Sequence, residues 1–197
     1  MFALKSKKRA RGKRIPWNKG IAVGSKRPLT LKQIHGIRNR LEVKERLREL
    51  ALFNLAIDSS LNANDLVQLR VSDITKGRRI VSLATITQTQ SQHRMQFWIS
   101  AETRKTVAAW IAHKGLKPGQ YLFPTRLHAS PYLSVRQYAR LIEAWVGDIG
   151  LDVRCYGTES LRRTKPALVY RQTKNLRTAQ SLLRHVKLES TARYLGV

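Results

Sequence analysis

The chain reads as a mainly helical α+β domain carrying a small antiparallel three-stranded sheet. Two observations predict this class. Apolar residues recur at helical spacing on both sides of the chain's middle, and between residues 79 and 99 the period shortens to two. A third observation bounds the size: 197 residues with a 42% apolar share suffice for one domain with a real core, which excludes wholesale disorder.

Taken in order, Thr30 caps a first helix through Leu31, Ile34, Ile37 and Leu41, and a second runs over 44–57 with Leu47, Leu50, Ala51, Leu55 and Ala56 facing inward. Asp58, Ser59 and Ser60 end it, and Asn64 caps a short helix over 65–71. Three short strands follow at 79–83, 84–88 and 95–99, the last two joined by a polar turn over 88–94. Ser100 caps a helix that buries Val107, Ala108, Trp110 and Ile111 and ends near Gly115. A connector over 115–131 leads to a helix capped by Ser134, with Tyr138, Leu141, Ile142 and Trp145 as its apolar stripe. The last third is helical at 160–173, 176–186 and 189–195. Trp98, Trp110, Trp145 and Phe97 are expected in the core.

Charge points to the partner. Lys and Arg number 38 against 12 Asp and Glu, a formal net charge of +26. Such an excess repels itself in a compact state unless a polyanion is near, and double-stranded DNA or another nucleic acid fits better than an anionic membrane. A single cysteine, Cys155, excludes an internal disulfide and favours a reducing, cytoplasmic setting. No apolar run has the length of a membrane span, and the basic N-terminus has no apolar segment after it to make a secretory signal. An acid-poor basic leader also fits an organelle transit peptide.

Residues 1–29 are expected to form a flexible basic arm, ahead of a folded domain over 30–197. Residues 1–28 hold ten Lys or Arg, no acid, and helix-breaking Gly12, Pro16, Gly20, Gly24 and Pro28. Lys7, Lys8, Arg9, Arg11, Lys13 and Arg14 are candidates to track phosphates, while a solvated tail that only aids solubility fits the same composition. Trp17 favours an arm that docks.

Three residues in the last third stand at telling distances: Arg162 in the run Tyr156 to Thr164, His185 after Leu182-Leu183-Arg184, and Tyr194 in Ser190-Thr191-Ala192-Arg193-Tyr194. These runs resemble the C-terminal half of the tyrosine recombinase (phage integrase) family, whose pattern there is His-x-x-Arg, Leu-Leu-Gly-His and Ser/Thr-x-x-Tyr. The resemblance extends back through residues 51–74, ALFNLAIDSSLNANDLVQLRVSDI, which look like the family's first arginine box, and covers about 30–197. It implies the tyrosine-recombinase catalytic-domain fold and a reaction without metal or other cofactor. Tyr194 would attack a DNA phosphodiester to give a 3′-phosphotyrosyl link. Arg162 would clamp the phosphate with its planar fork, and His185 would assist proton transfer. Family members usually carry a separate helical domain ahead of the catalytic one, for which residues 1–29 are too short.

This sequence departs from the pattern at three positions. Asparagine stands at 62 and glutamine at 90, where the resemblance implies the first clamp arginine and the turn lysine. Glutamate stands at 159 where it implies histidine. Arg184 replaces a glycine, and Pro166 falls early in a helix. Losing one transition-state donor typically removes about 10²- to 10³-fold in rate, and a carboxylate beside a scissile phosphate is repulsive. Arg70 is too far along its helix to replace residue 62, whereas His93 and Arg94 flank the turn and supply a proton donor if its register slips. Arg163, Lys165, Arg171, Lys174, Arg177 and Arg70 are expected to contact DNA, a solvated basic face being the plainer alternative. Three functions therefore stay open: a recombinase acting in DNA integration with impaired catalysis, a degenerate relative that binds DNA as a regulator or accessory factor without cutting it, and an RNA-binding protein. The free protein is expected to be a monomer that assembles, if at all, on DNA.

Overall fold

The computed structural model describes residues 26–89, 92–125 and 130–197. Helix α1 (Leu31–Val43) opens with the expected Thr30 cap, completed as a capping box by the Gln33 side chain. Helix α2 (Leu47–Ser59) is the centre of the molecule, buried continuously from Leu50 to Ile57. A helix apolar on all sides has to be surrounded. Here α5 (Ala101–Lys114), α7 (Thr158–Thr173) and α1 all pack on it. Helix α6 (Val135–Asp148) adds Trp145, whose ring meets Phe53 edge-on at 5.5 Å while its Nε1 donates to Glu49 Oε2 at 2.8 Å.

The small antiparallel sheet is present, but its strands divide differently from the three-stranded expectation. β1 (Thr75–Lys76) pairs with β2 (Arg79–Ile80) around Gly77, whose φ of +62° suits the tight turn. β3 (Leu83–Thr87) pairs separately with β4 (Arg94–Trp98). Alternation along the second ladder buries Ala84, Ile86, Met95 and Phe97 and turns Trp98 outward, 61% exposed. Trp98 thus leaves the expected core: at period two it cannot share a face with Phe97.

Two helix boundaries also shift. Asn62, not Asn64, caps the short helix α3 (Ala63–Val67), and a separate turn, α4 (Val71–Ile74), follows with Arg70 as its cap residue. Helix α8 (Leu176–Leu183) stops before its expected end because Arg184 takes a left-handed conformation, φ +58°. Helix α9 (Leu188–Leu195) comes next, and α7 runs through Pro166 to Thr173. Residues 26–29 are packed on the domain: Leu29 is fully buried and its N–H donates to Thr164 Oγ1, the Arg27 N–H donates to the Cys155 carbonyl, and Lys26 Nζ donates to the Arg154 carbonyl. The packed domain therefore begins ahead of residue 30. The rest of the expected arm lies outside the described residues.

Candidate active site

The first two turns of α7 carry Glu159, Arg162 and Arg163, and helices α8 and α9 pack against this helix. Periodicity sets the inner face: Ser160, Arg163, Thr164 and Ala167 are buried, with Thr164 Oγ1 donating to the Ser160 carbonyl at 2.7 Å. Arg163 is therefore inside the domain, only 6% exposed, and not on the solvated or phosphate-facing surface expected of it.

Tyr194, near the end of α9, reaches back to this helix. Its hydroxyl donates to Glu159 Oε2 at 2.6 Å, and the Arg163 guanidinium lies 4.1 Å over its ring centroid. The His185 ring meets Tyr194 edge-on, centroids 5.1 Å apart at 88°. Arg162 Nη1 is 4.0 Å from Glu159 Oε1, so the carboxylate lies between the arginine and the tyrosine. Arg162 Nε and Arg163 Nε are buried donors with no hydrogen-bond acceptor among the described residues.

His185 is held by its loop. Gln180 Nε2 donates to the His185 carbonyl at 2.9 Å and to that of Val186 at 3.2 Å, while His185 Nδ1 lies 3.1 Å from Oγ1 of the fully buried Thr191. The left-handed Arg184 makes the bend that presents His185, which is why glycine suits this position, and Arg184 Nη2 donates to the Gln96 carbonyl of β4. Burial lowers the pKa of His185, helped by Arg162 and opposed by Glu159. Burial raises that of the Tyr194 phenol, reinforced by the Glu159 hydrogen bond and charge and opposed by Arg162 and Arg163. At neutral pH the tyrosine is a protonated donor.

Arg162, His185 and Tyr194, far apart in sequence, thus come together around Glu159. The position expected to hold the first clamp arginine is otherwise engaged: Asn62 Oδ1 accepts from the Asp65 N–H at 2.9 Å and Asn62 Nδ2 donates to Asp65 Oδ2 at 2.7 Å. Asp65 also accepts from the Thr89 N–H and Gln88 Nε2, at the end of β3. Gln90 and the arm residues Lys7, Lys8, Arg9, Arg11, Lys13 and Arg14 lie outside the described residues.

Two more basic residues of the set expected to contact DNA make bonds within the domain. Lys165 turns inward and donates to the Asp58 carbonyl at 2.7 Å, closing the C-terminal end of α2, and burial lowers its pKa. Arg70 is exposed, but its guanidinium donates to the Gly119 carbonyl and Tyr121 hydroxyl and stacks on the Tyr121 ring. Arg171, Lys174 and Arg177 are exposed. Sequence reasoning missed the inward role of Arg163, although Ser160, Thr164 and Ala167 at helical spacing mark its face.

The phage integrase family model matches residues 27–197, nearly the whole described domain. The chain belongs to the phage integrase family. Among relatives of this chain, a probable integrase/recombinase, YoeC of Bacillus subtilis (strain 168), is 26% identical over 168 residues, covering 85% of this chain and 87% of that protein. The integrase fold recurs in the crystal structure of XerA recombinase at a TM-score of 0.73 and 15% identity, covering 88% of this chain and 61% of that one. It recurs again in XerH site-specific recombinase bound to its palindromic difH substrate, at a TM-score of 0.71 and 17% identity, covering 88% of this chain and 50% of that one. The chain therefore spans about half to six-tenths of the length of those solved recombinases.

Proposed function

We propose that this integrase binds double-stranded DNA and breaks and rejoins it in site-specific recombination or integration, with Tyr194 as the nucleophile of a 3′-phosphotyrosyl intermediate. The observation that supports this reading is the meeting of Arg162 from α7, His185 from the α8–α9 loop and Tyr194 from α9. A net charge of +26 and the DNA-bound state of XerH support DNA as the ligand. Exposed Arg171, Lys174 and Arg177, with the basic residues of the N-terminal segment, supply phosphate contacts. The protein is a monomer free in solution and assembles on DNA. Catalysis is slow: Asn62 offers an amide already committed to Asp65 where the resemblance implies a guanidinium. That engagement also favours a second reading, in which the protein binds DNA as a regulator or accessory factor without cutting it.

Covalent trapping separates the two. The protein is incubated with nicked duplexes drawn from the DNA flanking its own gene and denatured in SDS, with Tyr194→Phe as control. An adduct that vanishes in the control establishes cleavage. Salt-sensitive binding with no adduct establishes the second reading.

A further inference from the structure

We propose that Glu159 is the general base that takes the proton of Tyr194 during DNA cleavage, a carboxylate acting where the family resemblance implies a histidine. The inference rests on Tyr194 being the nucleophile. Its ground is geometric: Glu159 Oε2 already accepts from the Tyr194 hydroxyl at 2.6 Å, the short distance of an O–H donating to an anionic oxygen. His185 is engaged differently, with Nδ1 beside Thr191 and its ring edge-on to Tyr194.

The groups around the pair suit this role. Arg162 Nη1, 4.0 Å from Oε1, and Arg163, over the phenol ring, come from α7. His185 comes from the α8–α9 loop, and Tyr138 of α6 is held protonated by burial, with the charge of Glu159 acting the same way. Burial raises the pKa of the Tyr194 phenol, so the proton stays on it at rest and moves only as the phenol oxygen bonds to phosphorus. In that step the Tyr194 O–P bond forms and the bond from phosphorus to the 5′-oxygen breaks. The phenol proton passes to Glu159, and water protonates the departing 5′-oxygen. The carboxylate, repulsive to a phosphate while charged, becomes neutral as the phosphoryl group gains charge. Arg163 is placed to stabilise the charge developing on the ring.

A 5′-bridging phosphorothiolate isolates this step, because the sulfur leaves as thiolate and needs no proton. The substrate is the nicked duplex of the trapping test, carrying sulfur at the cleaved position, and the readout is the rate of adduct formation against pH. Glu159→Gln keeps an oxygen for the tyrosine but is a poor base. It should react about 10²- to 10⁴-fold more slowly at neutral pH, its rate climbing with hydroxide between about pH 6 and 9 while wild type stays flatter. Glu159→Asp, a base set back by one methylene, should fall between them, with rates compared at saturating DNA and well below each variant's melting temperature so that binding and folding do not enter. E159Q reacting as fast as wild type, or faster than E159D, overturns the proposal while leaving Tyr194 as nucleophile. A wild-type rate that itself climbs in proportion to hydroxide also overturns it, without reliance on any variant. Absence of a wild-type adduct on every flanking duplex removes the cleavage reading, and the proposal with it.

Discussion

The guanidinium of Arg163 lies 4.1 Å over the ring of Tyr194, inside the domain, with its Nε buried and lacking an acceptor among the described residues. A desolvated cation on an aromatic face contributes about 2 kcal/mol, and it contributes more to a phenolate than to a phenol. Only the difference between phenolate and phenol enters the barrier, so Arg163→Met should slow adduct formation, by less than the roughly 30-fold that the whole energy would give. Stability should change little, since an apolar chain of similar length replaces an incompletely bonded buried charge. Thermal melts and the trapping assay on the same sample check both halves.

Asn62 caps α3 and grips Asp65 through both ends of its amide. Asn62→Arg loses that cap, at a cost of about 1 kcal/mol in urea unfolding. If position 62 faces the scissile phosphate, the same variant gains adduct by about 10²- to 10³-fold. Loss of stability with no gain in adduct would place residue 62 outside the clamp.

Lys165 holds its amine against the Asp58 carbonyl, and burial lowers its pKa from the usual lysine value. Below the lowered pKa both the folded and the unfolded forms bind the proton, and the burial penalty is present in full. Between that pKa and the unfolded value the unfolded chain binds more protons, so stability rises with pH there. Lys165→Met should abolish this alkaline rise. Urea midpoints for wild type and variant, compared from neutral pH up to about pH 10, should diverge in slope; parallel curves would mean the amine is effectively solvated.

Arg184 adopts φ +58°, strained for a residue with a side chain, and gains one bond to the Gln96 carbonyl. Arg184→Gly should raise stability by up to about 1 kcal/mol, the relief of strain exceeding the entropy of the added glycine. Arg184→Val should lower it by about 1–2 kcal/mol, because a branched side chain tolerates this backbone least. Melting temperatures moving in the same direction would contradict the strain argument.

Much of the molecule was legible in its sequence because the signals concerned are local. Caps at Thr30, Ser100 and Ser134 and the apolar face through Leu50, Ala51, Leu55 and Ala56 lie within runs of a few residues, and Arg162, His185 and Tyr194 each sit in a short recognisable run. A period marks which residues share a face, and the family's tyrosine, histidine and arginine positions can be counted along the chain. Trp98 shows where such reading slips, since a hydrophobic residue type outweighed the alternation that turns it outward.

What only the tertiary structure decided is which face meets which neighbour. Glu159 and Tyr194 are 35 residues apart and Lys165 and Asp58 are 107 apart, yet each pair shares one hydrogen bond. No local propensity encodes those partners; they follow from how α7 seats against α2 and α9. In sequence Glu159 is a gap in a pattern and Arg163 and Lys165 are two more charges on a basic helix. Once packed, burial removes most of the water from the two cations, while Glu159 stays partly exposed beside Tyr194. The carboxylate then takes the tyrosine's proton as a hydrogen bond, one cation goes to the aromatic ring, and the other goes to the end of a helix.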